Sequence, residues 1–576
     1  MKETSYAFSG DLSIVLSGEA GQGIQTIESM LTSFAKKSSY GVFATKEYMS
    51  RVRGGCNSTE ILLSRNRVSS RVDRIDVLVA LTPGAIPHLK RRITDRTLVL
   101  GEKETVVFDG LVDMPFSAIA RDVGGSIFSN TVAVGAICAL AKLDRELCEA
   151  STRAIFASKG AEIGDKNVLA LGKGYELGLS LASRVSIDIG KPEADPEDIM
   201  LTGAEAVSFG ALAGGCNYVC AYPMSPGTTV LTTMAEQSKK FDLLVEQVED
   251  EIGVANMAIG AWYAGARALV TTSGGGFALM SEAMSLAGMI ETPFVAHIAQ
   301  RPGPATGLPT RTEQGDLDLA IHSGHGDFLK IVLAPGDLAE GYELGKAAFD
   351  LADRFQSPVL LLTDQYYVDS YYTTEAFEVD LKPLSPRVVT GGPGYRRYAL
   401  GSSDGISPRA LPGLSEGLVC VDSDEHDEDG RITEDPEVRK AMVKKRLAKI
   451  HAAQAAAIPP RLYGGAVGGA YEHLLLGWGS VKGPVLAALA ALGRKDIAFL
   501  HFPWVYPLPA GVSAYLERAR SVFAVEGNAT GQLADLVEAE TGRRLDGRIL
   551  KFDGFQFSVE ELADRISSAF PKGASV

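Results

Sequence analysis

Cysteine is scarce: Cys56, Cys138, Cys148, Cys216, Cys220 and Cys420 are spread over 576 residues. That is too thin for a disulfide framework, which small secreted domains use in place of a large core. Only Cys216 and Cys220 lie close together, and their spacing matches neither a zinc knuckle nor a ferredoxin cluster run, so buried structural thiols are expected. Long apolar runs are missing too, and none reaches bilayer length. The opening MKETSYAFSGDLS lacks the charged start and apolar core of a signal peptide, which points to a cytoplasmic protein. Basic residues are outnumbered, 56 Lys and Arg against 71 Asp and Glu, for a formal net charge of −15. Nucleic acid and anionic membranes would both be repelled, so neither is expected as a partner.

What is present describes a soluble globular chain with a full core, 46 % hydrophobic and 22 % charged, long enough for three or four domains. The first segment opens as strand, glycine loop and helix: SIVLSG, EAGQG, then IQTIESMLTSFAKK with apolar residues at helical spacing. Strand-like IDVLVAL, RTLVLG and TVVFDG alternate with helical runs to about residue 185, which predicts βαβ units and a parallel sheet. Gly18, Gly21 and Gly23 run in the reverse order of the dinucleotide fingerprint, and no acid ends a clear second strand to hold a ribose. A tight structural turn and a nucleotide loop are the two readings, the first favoured.

The stretch SIDIGKPEADPEDIM, rich in proline and acids, reads as a linker. A second α/β unit follows, with strand-like VCAYP, ALVTTSG, FVAHIA, FLKIVLA and SPVLLLT. Regularity then fades into a glycine- and acid-rich stretch that ends in the basic, helix-like VRKAMVKKRLAKI. Asp422, Asp424, Asp427 and Asp429 superficially resemble a calcium loop but miss the required glycine and glutamate positions, so a solvated acidic loop is expected. From about residue 461 a third α/β unit runs through HLLLGWGSVKG, IAFLHFPWVYPLP and SVFAVEGNATGQLADLVE.

Ligands of open α/β sheets sit at the carboxyl ends of strands, and AYPMSPGTT, residues 221–229, would lie at such an end. Pro223 and Pro226 restrict its backbone, so Ser225 and Thr228 would be presented with little entropy left to lose. The ordinary alternative is that Ser225 or Thr228 caps a helix starting near Val230. Downstream, Glu249, Asp250 and Glu251 precede a long apolar helix; acids in a first turn suit the dipole, but Glu251 is expected to be buried, and a buried carboxyl needs a partner. Arg301 and Arg311 bracket a Gly/Pro-rich turn suited to a carboxylate or phosphate, with surface solvation as the plain alternative. His322 and His325 suggest a metal pair but have no further ligands in sequence.

YPMSPGT, EDEIGVANMAIGAWYAGARALVTTSGGGF and RPGPATGLPTRTEQGDL together resemble the α subunit of the 2-oxoacid:ferredoxin oxidoreductases, in the form with a γ domain fused at the N-terminus. GEAGQGI and EYMSRVRGGCNSTEILLS resemble that γ domain, while EHDEDGRITEDPEVRKAMVKKRLAKI and VEGNATGQL resemble the α-subunit tail, so the likeness covers nearly the whole chain. It implies three α/β domains with mostly parallel sheets: a γ domain at 1–186, a linker at 187–200, a thiamine-diphosphate pyrimidine-binding domain at 201–380, an irregular segment at 381–460 and a transketolase C-terminal-like domain at 461–576. It also implies a thiamine diphosphate shared with a β subunit that holds the diphosphate, Mg²⁺ and a [4Fe-4S] cluster. The absence here of a cluster cysteine set and of a G-D-G…N motif agrees with that division.

Carried onto this chain, the resemblance makes Glu251 the glutamate that hydrogen-bonds the aminopyrimidine ring and promotes its imino tautomer. Ser225 stands where the family usually has threonine, with its hydroxyl toward the substrate carboxylate; it keeps the donor but loses the methyl group that restricts the rotamer. Arg311, in the T-x-T-E-Q context, would pair with that carboxylate, with Arg301 and Thr228 contributing, while Tyr222, Pro223, Thr272, Ser273 and Gly274 would line the pocket. The implied reaction is CoA-dependent oxidative decarboxylation of 2-oxoglutarate to succinyl-CoA and CO₂, with electrons passing to ferredoxin, or its CO₂-fixing reverse, in a dimer of αβ pairs. The alternatives are the same reaction on pyruvate or a branched-chain 2-oxoacid, and a noncatalytic nucleotide-binding scaffold.

Overall fold

The computed structural model describes residues 5–19, 23–49, 55–379, 388–414, 416–466 and 470–571. Gly21, the SRVRG part of the γ-like motif and the expected boundary at 380/381 lie outside the described residues. The chain forms two compact units, one of Met1–Leu201 with Ser370–Ala376 and Ser558–Glu561, the other of Thr202–Asp369, Phe377–Phe557 and Leu562–Val576.

In the first unit the helical period of IQTIESMLTSFAKK becomes the helix Ile24–Lys37, which buries Ile24, Ile27, Leu31 and Phe34 on one face. Gly23 opens it at φ 76°, a conformation that favours glycine. The sheet runs Val112–Asp113, Leu98–Gly101, Val77–Ala80, Leu12–Gly18, Asn57–Ser64, Gly41–Glu47, Tyr371–Thr374, Ile199–Thr202. The first four strands are parallel, as expected from the βαβ alternation, but Asn57–Ser64 runs antiparallel to both its neighbours, so this sheet is mixed. TVVFDG is not a strand: Val106 is buried but Val107 is 92 % exposed, so the apolar run has no sheet to enter. Within 187–200 the chain packs on this unit, with Glu193 N donating to Arg65 O and Ala194 N to Ser39 O.

The second unit begins with a capping box, Thr202 and Glu205 satisfying each other's backbone N–H groups ahead of the helix Gly203–Ala213. Its seven-stranded sheet runs Leu244–Gln247, Tyr218–Ala221, Ala268–Thr272, Phe294–Gln300, Pro358–Asp364, Ile331–Leu333, Trp504–Tyr506, parallel except for the last strand. The inner strands are buried on both faces, which is why they read as unbroken apolar runs. A five-stranded sheet, Arg461–Gly464, Ile497–Phe502, His473–Trp478, Ser521–Glu526, Gly547–Leu550, shares the same unit and part of the same core.

Polar side chains join the two sheets. Gln314 donates through Nε2 to Trp478 O at 2.7 Å and accepts from Gly527 N at 2.8 Å. The VEGNATGQL stretch is explained by Glu526, whose buried carboxylate accepts from Trp478 Nε1, Asn528 Nδ2, Leu533 N and Ala534 N. Cys56, Cys138, Cys148, Cys216 and Cys220 are buried and unpaired, as expected of structural thiols, and burial pushes the Cys216 and Cys220 thiols up to about 12. The acidic loop uses its aspartates in turns: Asp422 accepts from Asp424 N, and Asp427 accepts from Asp429 N and Arg431 N.

The basic run forms the helix Pro436–Ala455, capped by Asp435. Its Lys445 and Lys449 reach the buried Glu291, with Lys445 Nζ 2.6 and 2.7 Å from the two carboxylate oxygens and Lys449 Nζ at 2.6 Å. Burial alone would raise the Glu291 pKa, but Lys449, Lys445 and Arg397 outweigh it and hold the carboxyl well below the usual range. This contribution is therefore present above the unfolded carboxylate pKa and is lost as the pH falls toward the folded value. Glu291→Ala strands two buried ammonium groups and is expected to cost about 3–5 kcal/mol, read as a lowered unfolding midpoint at neutral pH, with a smaller difference from wild type in acid.

Candidate active site

Three adjacent parallel strands, Tyr218–Ala221, Ala268–Thr272 and Phe294–Gln300, end on one edge of the second unit's sheet and hand over to Tyr222, Ser273 and Arg301. The 222–227 loop folds back over the middle strand. Thr271 Oγ1 donates to Gly227 O at 3.0 Å, and a Cβ on Gly227 would stand 2.6 Å from Thr272 O, so only glycine permits this approach. The following helix is Thr228–Gln237; its N-cap is Gly227 and no side chain caps it, so neither Ser225 nor Thr228 serves as the cap that their residue types favour. Thr229 Oγ1 instead donates back to Pro226 O at 2.8 Å. Ser225 is exposed and Tyr222 is 37 % exposed, so the loop presents its polar atoms outward from a buried Pro226–Gly227 base.

Glu251 opens the helix Glu251–Ala264, with Asp250 as N-cap at φ 73° accepting from Gly253 N at 2.8 Å. Helix amides carry partial positive charge at this end, which favours the acid. Glu251 is 3 % exposed, and its Oε1 is buried with no hydrogen-bond partner. The same oxygen would lie 2.6 Å from a Cβ on Gly276, which would also stand 2.2 Å from Thr272 Oγ1. The glycines after Ser273 therefore form a cradle in close contact with Thr272 and Glu251. Ser273 Oγ is fully buried and also lacks a partner. Orphaned buried polar atoms are costly, and two of them beside one strand-to-helix turn suit a ligand that supplies the bonds.

The two arginines part company. Arg301 Nη1 donates to Ser225 O at 2.6 Å while its Nε is buried without a partner; burial lowers its pKa and the charge of Asp316 opposes that. Arg311 lies over the Phe555 ring, 4.8 Å from guanidinium carbon to centroid, and its Cβ packs against Gly554. The loop, Glu251, Thr272, Ser273, Gly274 and Arg301 are thus brought together, whereas Arg311 is directed onto the 554–555 turn.

His322 and His325 do not join a ligand set: His325 Nδ1 meets Ser285 Oγ at 2.9 Å. Among the described residues the group able to hold a metal is Glu472, His473 and Asp496, whose two acids also pair with Arg520 and Arg494.

Sequence reasoning missed Asp316 and His297. Asp316 ends the polar TEQGD stretch, and that acid after a glycine was the available signal. His297 was hidden in an apolar strand. Its Nδ1 meets Thr271 Oγ1 at 2.9 Å and its Nε2 meets Thr363 Oγ1 at 2.7 Å, and burial lowers it to about 3, so a neutral imidazole braces the strand beneath the loop.

Residues 209–445 match the family described as "Pyruvate flavodoxin/ferredoxin oxidoreductase, thiamine diP-bdg", and residues 13–177 match "Pyruvate ferredoxin/flavodoxin oxidoreductase". With the site above, these define the class as a thiamine-diphosphate-dependent oxidoreductase. The 2-oxoacid:ferredoxin oxidoreductase subunit alpha of a Sulfolobus species is 30 % identical over 98 % of this chain and 97 % of its own length. The 2-oxoglutarate oxidoreductase subunit KorA of Mycobacterium tuberculosis is 29 % identical over 96 % of this chain and 91 % of its own. The structure of 2-oxoglutarate:ferredoxin oxidoreductase from Magnetococcus marinus, with 2-oxoglutarate, coenzyme A and succinyl-CoA bound, superposes with a TM-score of 0.90 at 29 % identity, covering 97 % of this chain and 99 % of that one. This chain belongs to the 2-oxoacid:ferredoxin oxidoreductase family, as an α subunit with the γ domain fused at its N-terminus.

The cradle makes Gly276 a sharp test. Gly276→Ala forces Glu251 or Thr272 to move, which is expected to cut 2-oxoacid-dependent dye reduction by the assembled enzyme about 100-fold. The accompanying loss of stability should stay below about 3 kcal/mol. Unchanged turnover with a folded variant would place the cradle outside the site.

Proposed function

We propose that this chain is the α subunit, with fused γ domain, of a 2-oxoglutarate:ferredoxin oxidoreductase. Two-electron oxidation converts 2-oxoglutarate and CoA to succinyl-CoA, CO₂ and a proton, with the electrons leaving one at a time to two ferredoxins. The observation that carries this reading is the buried, unpartnered Oε1 of Glu251 against the glycine turn at Gly276. The names of the Mycobacterium tuberculosis and Magnetococcus marinus proteins support the choice of 2-oxoglutarate.

Thiamine diphosphate, when bound, supplies a carbon nucleophile for the 2-oxo carbon and a sink for the electron pair left by CO₂. Glu251 would hold its aminopyrimidine ring and keep a proton in play at Oε1, while Tyr222, Pro223, Thr272, Ser273 and Gly274 would line its pocket. A carboxyl shielded from water exchanges a proton without competition from solvent. Ser225, Thr228 and Arg301 would receive the substrate carboxylate; Arg311, expected there from its T-x-T-E-Q context, would have to leave the Phe555 ring to join them. Arg301 suits this role because its Nε is left over for an incoming acceptor while Nη1 fixes it to the Ser225 loop.

The other half of the site would come from a β subunit carrying the diphosphate, Mg²⁺ and the iron–sulfur cluster, in a cytoplasmic dimer of αβ pairs. In this reading 1–186 is the γ domain, 201–380 binds the pyrimidine, and 461–576 is the transketolase C-terminal-like domain, with 187–200 and 381–460 connecting them.

The test is anaerobic, CoA-dependent reduction of a low-potential dye by the chain co-purified with its β subunit, comparing 2-oxoglutarate, pyruvate and a branched-chain 2-oxoacid. Preference for 2-oxoglutarate is expected, and Glu251→Gln should lower turnover about 10²- to 10⁴-fold with assembly and cofactor content intact. Preference for another 2-oxoacid overturns the substrate assignment. No reduction by a complex holding cofactor and cluster overturns the catalytic reading in favour of a scaffold.

A further inference from the structure

Three of the buried polar atoms without a partner lie at the turn that follows Ser273, namely Glu251 Oε1, Ser273 Oγ and Asp316 Oδ2, and Arg301 Nε, just past the end of the adjacent strand, is a fourth. The others have roles in the reading above; Asp316 has none. Its carboxyl group occupies the space that a Cβ on Gly274 would need, with Oδ2 2.2 Å from that position, so it is seated directly on the turn. Its backbone is fixed from the neighbouring strand, Asp316 N donating to Gln300 Oε1 at 2.9 Å. Although it precedes the helix Leu317–His322, its side chain makes no capping bond, so helix capping does not explain it. A carboxyl buried with an unsatisfied oxygen is costly, and packing alone does not account for it.

Its electrical surroundings are simple. Arg301 directly follows Gln300, which holds the Asp316 backbone, and its charge acts on the carboxyl; Glu313 acts on it from its own segment, and Glu251 meets the same glycine turn at Gly276. Burial, reinforced by Glu313 and opposed by Arg301, pushes Asp316 up to about 6.

We infer that Asp316 couples the carboxylate site to a proton, competing with the substrate carboxylate for the charge of Arg301, so that a carboxylate ligand enters together with a proton that Asp316 takes from solvent. The inference rests on Arg301 receiving the substrate carboxylate. Two carboxylates at one partly buried guanidinium cannot both stay ionised without cost, so the arriving charge raises the proton affinity of the resident acid. When the substrate carboxylate departs as CO₂, Asp316 returns its proton to solvent, and the balance closes over the cycle. A ligand that is neutral at this end meets no such competition and should bind without this pH dependence.

The sign follows from the two states. With Asp316 free near 6 and higher when substrate is bound, affinity is greatest below the free value and falls as the pH rises between the two. In the assembled enzyme the KM for the 2-oxoacid should therefore rise about tenfold from about pH 5.5 to about pH 8, equivalent to one pKa unit of coupling, without a matching change in kcat. Asp316→Asn should abolish that rise and hold KM near the wild-type acid value, with thiamine diphosphate content unchanged. A wild-type KM that is flat with pH, or the same rise in Asp316→Asn, overturns the inference while leaving the catalytic reading intact. Failure of the wild-type complex to use any 2-oxoacid overturns that reading and the inference with it.

Discussion

A carboxyl oxygen kept from water with nothing to bind is the constraint from which the second unit is best understood. Glu251 sits in the first turn of an apolar helix, where the backbone amides favour its charge but do not satisfy Oε1. Everything around it preserves that vacancy of bonding: Gly276 withholds a Cβ, Gly227 lets the proline loop descend onto Thr272, and His297 stiffens the strand below. Together they hold the unmet hydrogen-bonding capacity of Glu251 and Ser273 at one sheet edge.

The rest of the unit holds that edge still. The helix Pro436–Ala455 is tied through two lysines to Glu291, which follows the helices that close the cradle, and Gln314 and Asn528 fasten the C-terminal sheet to the same body. Buried ionic ties of this kind add little net stability over apolar packing, but they admit few alternative registers, which is what a site built from several strand ends requires.

Much of this was legible in the residues. The helix Ile24–Lys37 and the strands behind VCAYP, ALVTTSG and FVAHIA followed from period and composition, because each has one dominant environment. Leu244–Gln247 was not anticipated, since an edge strand with polar Glu246 and Gln247 carries no such pattern, and TVVFDG looked like a strand although only part of it packs. At the site, Glu251 stood out because an acid borders an apolar run. Asp316 did not, because its meaning lies in Gly274 and Arg301, which are distant along the chain and close only in the fold. The serine- and threonine-rich loop was ambiguous for the opposite reason: the same residue types cap helices, and only the geometry shows Gly227 in that place.

The central claim is that Glu251 waits for a cofactor whose other end another chain holds. The most direct measurement is CoA-dependent dye reduction by this chain alone, supplied with thiamine diphosphate, Mg²⁺ and a 2-oxoacid, before and after addition of its β subunit. The account predicts a colourless chain without turnover that gains activity only on assembly. Turnover by the isolated chain would contradict it.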